Sequence, residues 1–209
     1  MPTGHVEMMR ESRPYARLAE FGYLVSAAYA LGNMVLLTVL RETGFAFGWA
    51  ETLVSAVITV VLSVAWFQLG RKQDVEWFLA AGVFGGASAV LSLITNLEPL
   101  PAPVASGTFV ISLVEAMISL VYFATQLLAF YTAAKRFQVK FFMYAVYLLV
   151  IGTVASPVVG AALVTSTATQ QPVVGETLGY LAYGIALLIS TATALAAAAG
   201  FHRLGRIFS

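Results

Sequence analysis

The chain has 209 residues, of which 60% are hydrophobic and only 10% are charged, and its formal net charge is +1. A soluble domain of this length needs more polar surface than so few charges supply, so the composition predicts an integral membrane protein. The small net charge argues against a nucleic-acid partner, and the lack of cysteine excludes disulfides and thiolate metal sites.

Six stretches are apolar over about 20 residues or more, the length of helix that crosses roughly 30 Å of hydrocarbon. In chain order they are residues 18–40, 48–70, 75–96, 107–134, 139–164 and 175–200. Residues 1–17 remain as a short cytoplasmic tail, in which we expect Pro14 to interrupt any helix. The predicted fold is all-α, a polytopic bundle of six transmembrane helices that occupies residues 18–209.

Basic residues are distributed unevenly between the predicted loops. Ten of the eleven lie on one side of the membrane, and only Arg41 lies on the other. Because short loops rich in Lys and Arg stay in the cytoplasm, we expect a multi-pass protein of the cell membrane with both termini cytoplasmic. Four of these cations are also candidates for binding anionic lipid head groups: Arg71, Lys72, Lys135 and Arg136.

A weak internal repeat marks the cytoplasmic ends of the even-numbered segments. Residues 65–71 align without gaps on residues 200–206 and more loosely on residues 129–135, so that the successive offsets are 64 and 71. The offsets match the length of a helical hairpin, so one interpretation is three tandem hairpins related by an axis along the membrane normal. The other is that aromatic and basic residues commonly end a transmembrane helix on this side.

The fourth segment carries a polar stripe at spacings of three and four residues, which places it on one helical face. Its members are Thr108, Ser112, Glu115, Ser119, Tyr122 and Gln126. Glu115 is the only ionisable residue well inside a predicted span, and a carboxylate there is a functional hypothesis by default. A Glu that hydrogen-bonds to a neighbouring helix would serve packing alone, and the sequence leaves both interpretations open.

Shorter stripes of hydroxyl and amide side chains occur in the first three segments. Four of their members complete the candidate path-lining set: Asn33, Thr59, Ser88 and Ser92. In the third segment Gly82 and Gly86 form a GxxxG pair, which lets helices approach closely. Taken alone, each of these stripes favours helix packing over a path, because hydroxyl groups commonly hydrogen-bond between membrane helices.

The residues needed for common membrane catalysis are missing from the sequence. Asp74 is the single Asp, and the two His residues, His5 and His202, lie near opposite ends of the chain. This leaves no HExxH zinc site, no paired haem-ligating histidines and no catalytic carboxylate pair at membrane depth. We therefore expect no enzymatic activity, no catalytic residue, no metal site and no cofactor.

The function that the sequence predicts is a small channel or transporter for an ion or small solute, with the polar face of the fourth segment lining the path. The alternative is a non-catalytic accessory or scaffold subunit of a larger membrane complex, in which the same stripes hold helices together. The expected partners are membrane lipids and either further copies of the chain or the other subunits of such a complex.

Overall fold

The computed structural model describes residues 3–40, 48–97, 105–168 and 172–209. Within these ranges the chain forms helices and no strand: α1 (Thr3–Leu40), α2 (Gly48–Gln73), α3 (Glu76–Leu97), α4 (Ala105–Phe137), α5 (Lys140–Ala168) and α6 (Pro172–Ile207). The all-α prediction is confirmed, and each apolar segment lies within one helix to within one residue.

Four helices contain stretches that are long and apolar enough to cross a membrane: Ala50–Gln73, Glu76–Thr95, Leu113–Phe137 and Tyr183–Ile207. The described apolar part of α5, Lys140–Val154, is shorter. Large apolar side chains are widely exposed on the outside of the bundle, including Leu120 at 69% and Val154 at 66%. Water does not favour so much exposed apolar surface, and these features are compatible with a multi-pass membrane protein.

The helices pack in chain order into a closed ring, because each contacts the next and α6 contacts α1. Short turns at Asp74 and Gln138 reverse the chain between α2 and α3 and between α4 and α5. One end of the ring therefore holds the ends of the even-numbered helices, where Arg71, Lys135 and Arg206 lie. We call this the basic end and the opposite one the far end.

The expectation that Pro14 interrupts a helix is wrong, since α1 runs from Thr3 through Pro14 to Leu40. Pro14 is exposed, and the residues around it are held by contacts with α2. The Ser12 hydroxyl is buried and accepts a hydrogen bond of 2.7 Å from the amide of Gln73, and Lys72 forms an ion pair with Glu11. Tertiary contacts thus offset the backbone hydrogen bond that proline removes.

Six fully buried or nearly buried rings, which we call the aromatic cluster, fill the ring of helices near the basic end: Tyr23, Trp66, Phe78, Phe130, Phe142 and Phe201. The centroid of Trp66 lies 4.9 Å from that of Phe78 and 5.0 Å from that of Phe201, both edge to face. Such pairs add about 0.5–1.5 kcal/mol each beyond their burial. The cluster takes one ring from each helix and so joins all six into one core.

The internal repeat extends beyond the residues that reveal it in the sequence. At the same offset of 64, Asp74 and Gln138 both have a left-handed backbone, with φ of 51° and 54°. Phe78 and Phe142, also 64 residues apart, are both fully buried in the aromatic cluster. At this offset α2, its turn at the basic end and α3 correspond to α4, its turn and α5.

The two glycines of the GxxxG pair have different surroundings in α3. A Cβ atom on Gly82 would lie 2.7 Å from the backbone nitrogen of Phe67 in α2, whereas one on Gly86 would have no neighbouring heavy atom within 4 Å. Gly82 therefore permits the close approach of α2 and α3, and Gly86 does not take part in it.

Candidate functional site: a polar cavity inside the ring of helices

A cavity of about 440 Å³ lies inside the ring, and we call it the central cavity. Its described lining comes from every helix except α3. On α2 it begins at Ser55 and ends at Leu62, which lies one turn before Trp66 of the aromatic cluster. Because α2 ends at the basic end, the cavity lies on the far-end side of the aromatic cluster, which forms its floor.

The lining combines apolar walls with hydroxyl groups, and several of these hydroxyls donate to their own helix. The hydroxyl of Thr59 donates to the carbonyl of Ser55 at 2.9 Å, and that of Thr193 donates to the carbonyl of Ile189 at 2.8 Å. Thr153 donates in the same way within α5. A hydroxyl that has donated its proton retains oxygen lone pairs, so the walls offer mainly hydrogen-bond acceptors.

Tyr23 is the central polar residue of the floor. Its hydroxyl oxygen accepts hydrogen bonds from the indole nitrogen of Trp66 and from the amide nitrogen of Gln126, both at 3.0 Å. These bonds tie α1, α2 and α4 together immediately above the aromatic cluster. The oxygen accepts both of these hydrogen bonds, so the hydroxyl proton remains available as a donor. Because Tyr23 also lines the cavity, this proton is available to a group inside the cavity.

Tyr122 lies beside this floor, and its position depends on a glycine of α3. A Cβ atom on Gly85 would lie 2.8 Å from the Tyr122 ring and 2.5 Å from the hydroxyl of Ser63. The missing side chain therefore makes room for the ring, which lines the cavity together with Gln126. Although α3 contributes no lining residue among those described, it fixes part of the wall.

Glu51 lies towards the far end of the cavity, in the first turn of α2. Its carboxylate accepts hydrogen bonds from the Asn33 amide at 3.4 Å and from the Tyr183 hydroxyl at 3.5 Å. The hydroxyl of Tyr29, which lines the cavity, donates to the Glu51 carbonyl at 3.1 Å. Residues from α1, α2 and α6 therefore converge on one exposed carboxylate, and we call this group the mouth.

The polar stripe predicted on α4 divides between two surroundings. Tyr122 and Gln126 line the central cavity. The Ser119 hydroxyl instead lies 3.3 Å from that of Ser88, at the contact between α3 and α4. Glu115 is half-buried and is not part of the cavity lining, and it forms no hydrogen bond or ion pair with the residues whose side chains are described. The side chain of Ser112 lies outside the described residues.

The other candidate path-lining residues also separate. Thr59 lines the cavity and Asn33 belongs to the mouth. Ser88 and Ser92 lie on α3, whose described residues contribute nothing to the lining. The structure therefore brings together residues of α1, α2 and α4 from the predicted set, and it places those of α3 elsewhere.

The four candidate lipid-binding cations lie at the basic end in different settings. Lys72 pairs with Glu11, and the Lys135 ammonium lies 5.7 Å from the centroid of the Tyr131 ring. Arg136 lies over the ring of Phe137, and Arg71 is exposed. Arg41, the single basic residue expected at the opposite side, is outside the described residues.

The sequence analysis did not identify two residues that organise the site, although helical spacing in the sequence points to both of them. Glu51 precedes Ser55 and Thr59 at four-residue spacing, so it shares their helical face. Tyr23 lies three residues before Ser26 and shares the polar face of α1. Neither stands out by residue type, because Glu at a helix start and Tyr near a membrane boundary are both common.

Comparison with protein-family models, with curated proteins and with solved structures finds no match for this chain. The fold and the cavity define a bundle of membrane-type helices around an internal polar space.

Proposed function

We propose that the protein is a small membrane transporter that takes up an amino-acid-sized, positively charged or strongly hydrogen-bond-donating solute from the far end. The observation that supports this best is the central cavity, which has hydroxyl groups on apolar walls and a carboxylate at its mouth. Its volume of about 440 Å³ falls within the range of small-molecule sites, about 300–1,000 Å³.

The aromatic cluster favours a carrier over an open channel. Trp66, Phe130 and Phe201 are fully buried and fill the space between the cavity and the basic end. No water-filled path can pass rings packed at centroid distances of 5.0–5.4 Å. Passage of a solute would need the helices to move at this layer, as in alternating access.

The chemistry of the lining favours cations and hydrogen-bond donors. The wall hydroxyls of Thr59, Thr153 and Thr193 present oxygen lone pairs, and the Glu51 carboxylate adds a negative charge at the mouth. An ammonium or guanidinium group has donors and no acceptors, which matches this arrangement. The field of the carboxylate would also raise the local concentration of cations.

The test is uptake into proteoliposomes that contain the purified full-length chain. Lysine and putrescine are the cationic probes, and glycerol is the uncharged comparator. We expect saturable uptake of at least one cation and none of glycerol. Ser190→Phe, which fills the cavity from α6, should abolish uptake while leaving the melting temperature within a few degrees.

A matched pair of carboxylates tests where the proposed path lies. Glu51 and Glu115 are 64 residues apart and occupy equivalent positions of the repeat, but only Glu51 belongs to the mouth. Below saturation, Glu51→Gln should reduce cation uptake about tenfold, whereas Glu115→Gln should change it less than twofold. A loss that follows Glu115 instead would place the path on the outer face of α4 and refute the cavity proposal.

One observation favours the accessory-subunit alternative. Glu115 has no partner among the described side chains and is flanked by exposed apolar residues, such as Leu113 at 51% and Met117 at 61%. A helix of another subunit with a hydrogen-bond donor would cover this surface and satisfy the carboxylate. Absence of uptake for every probe, together with a stoichiometric partner in purified membranes, would support this function and overturn transport.

We further propose that all six helices span the membrane, with both termini in the cytoplasm. The basic residues at one end of the ring support this orientation, since Lys and Arg in short loops stay in the cytoplasm. Single cysteines introduced at exposed Asp74 and at Ser209 should react with a membrane-impermeant reagent only after the cytoplasmic side is opened. Labelling of Ser209→Cys from outside intact cells would refute the orientation.

A further inference from the structure

A second cavity lies on the surface at the basic end, and we call it the basic cleft. It has a volume of about 730 Å³ and lies between the turn that precedes α5 and the last turns of α6. Three cations line it: Lys140, Arg203 and Arg206. All three side chains are exposed, and within the described ranges none of them pairs with a carboxylate. The cleft therefore concentrates positive charge that the protein itself does not neutralise.

The repeat allows the basic cleft to be compared with an equivalent surface beside α3. Lys140 corresponds to Glu76 at the offset of 64, and Tyr144 corresponds to Ala80. The equivalent surface beside α3 thus carries a carboxylate and lacks the Tyr144 ring, although Trp77 lies at the position of Phe141. At the offset of 71, Arg206 corresponds to Lys135 but Arg203 corresponds to Thr132, so the basic cleft carries more positive charge than the equivalent surface.

An apolar surface continues from the basic cleft along α5. Phe141 and Tyr144 belong to the cleft, and Tyr147 and Ile151 follow them on the same face, with exposures between 40% and 56%. The rings of Phe141 and Tyr144 pack edge to face at 6.2 Å. A soluble anion would leave this surface unused, whereas an acyl chain would lie against it.

We propose that the basic cleft binds one anionic phospholipid, with its phosphate among Lys140, Arg203 and Arg206 and an acyl chain along the exposed face of α5. The site differs from the four candidates indicated by the sequence, of which Lys72 is neutralised by Glu11. Basic pockets between membrane helices on the cytoplasmic side are known to suit such head groups. The inference requires the bundle to be embedded in a bilayer and does not depend on transport.

The test is native mass spectrometry of the full-length protein in detergent, with phosphatidylglycerol and phosphatidylcholine of the same chain length. The wild type should retain one phosphatidylglycerol at least tenfold more tightly than phosphatidylcholine. The double variant Arg203→Gln with Arg206→Gln should lose about 30-fold in affinity for phosphatidylglycerol, as expected for two basic residues at a membrane surface.

The matched control removes two charges from the same end, as Arg71→Gln with Lys135→Gln, and should lose less than threefold. Lys140→Gln alone, at an exposed turn position, should lose about fivefold and serves if the Arg203 and Arg206 variant fails to fold. Glycerol 3-phosphate at millimolar concentration should not displace the lipid.

Three results would overturn the proposal. The first is an equal loss in the two double variants, which would assign the effect to the overall charge of the basic end. The second is the absence of a preference for phosphatidylglycerol. The third is full displacement by glycerol 3-phosphate, which would assign the cleft to a soluble phosphate compound.

Discussion

Replacing Gly82 or Gly86 with Ala adds the same methyl group to two positions one turn apart in α3. At Gly82 the added Cβ would lie 2.7 Å from the Phe67 backbone nitrogen, while at Gly86 it meets no heavy atom within 4 Å. Reaching the 3.4 Å of an ordinary contact requires α2 and α3 to separate by about 0.7 Å at Gly82. Because backbone atoms are involved, a side-chain rotation cannot relieve the clash.

The magnitude follows from two opposing effects. In a helix interior Ala is more favourable than Gly by about 0.8–1.0 kcal/mol, and this gain is the same at both positions. Overpacking costs about 1–3 kcal/mol and applies only at Gly82. The two variants should therefore differ in free energy of unfolding by about 1–3 kcal/mol, with Gly82→Ala the less stable.

The assay is thermal unfolding of each purified variant in the same detergent. For a chain of about 200 residues, 1 kcal/mol corresponds to a change of roughly 2–4 °C, so Gly82→Ala should melt roughly 2–12 °C below Gly86→Ala. Gly86→Ala itself should melt at or slightly above the wild-type temperature. Equal melting temperatures would show that α2 and α3 are not in the close contact from which this reasoning starts.

Two further substitutions test the floor of the cavity and the repeated turn. Tyr23→Phe removes the hydroxyl oxygen that accepts hydrogen bonds from Trp66 and Gln126. It should therefore destabilise the fold by about 1–3 kcal/mol for each donor left unsatisfied. A melting temperature equal to that of the wild type would contradict the hydrogen-bonded floor. Gln138 has a left-handed backbone with φ of 54°. Gln138→Gly should therefore be neutral or stabilise the protein by up to about 1 kcal/mol, and Gln138→Val should destabilise it. Chemical unfolding of both variants measures the difference, and the reverse order of stability would contradict the turn geometry.

The helices are predictable from the sequence because apolar length is a local property. Each span needs about 20 apolar residues, and charged residues mark the ends, so no knowledge of the packing is required. The prediction for the start of α1 is wrong for the opposite reason. Pro14 opposes a helix locally, and only the contacts of Ser12 and Glu11 with α2 show why the helix continues.

The candidate site is less predictable because the sequence shows which residues share a helical face but not which neighbouring helix or cavity that face contacts. The stripe on α4 is one face by spacing, yet Ser119 contacts α3 while Tyr122 and Gln126 line the cavity. A stripe covers a wide arc, and which part faces inward depends on the rotation of the helix against its neighbours. Glu51 was overlooked because its importance comes from Asn33 and Tyr183, which are distant in the chain.

The internal repeat distinguishes positions whose residue type is constrained by packing from positions whose residue type can differ between the two units. Positions that are buried in both units keep apolar residues, as with Phe78 and Phe142, because a change there would leave a cavity or a clash in a shared core. Exposed positions are not held in this way, and Glu76 in one unit corresponds to Lys140 in the other. A duplicated scaffold can therefore carry different chemistry on its two copies without a loss of stability. The basic cleft draws on this difference at Lys140, and the mouth of the central cavity draws on Glu51, whose counterpart Glu115 lies outside the cavity lining.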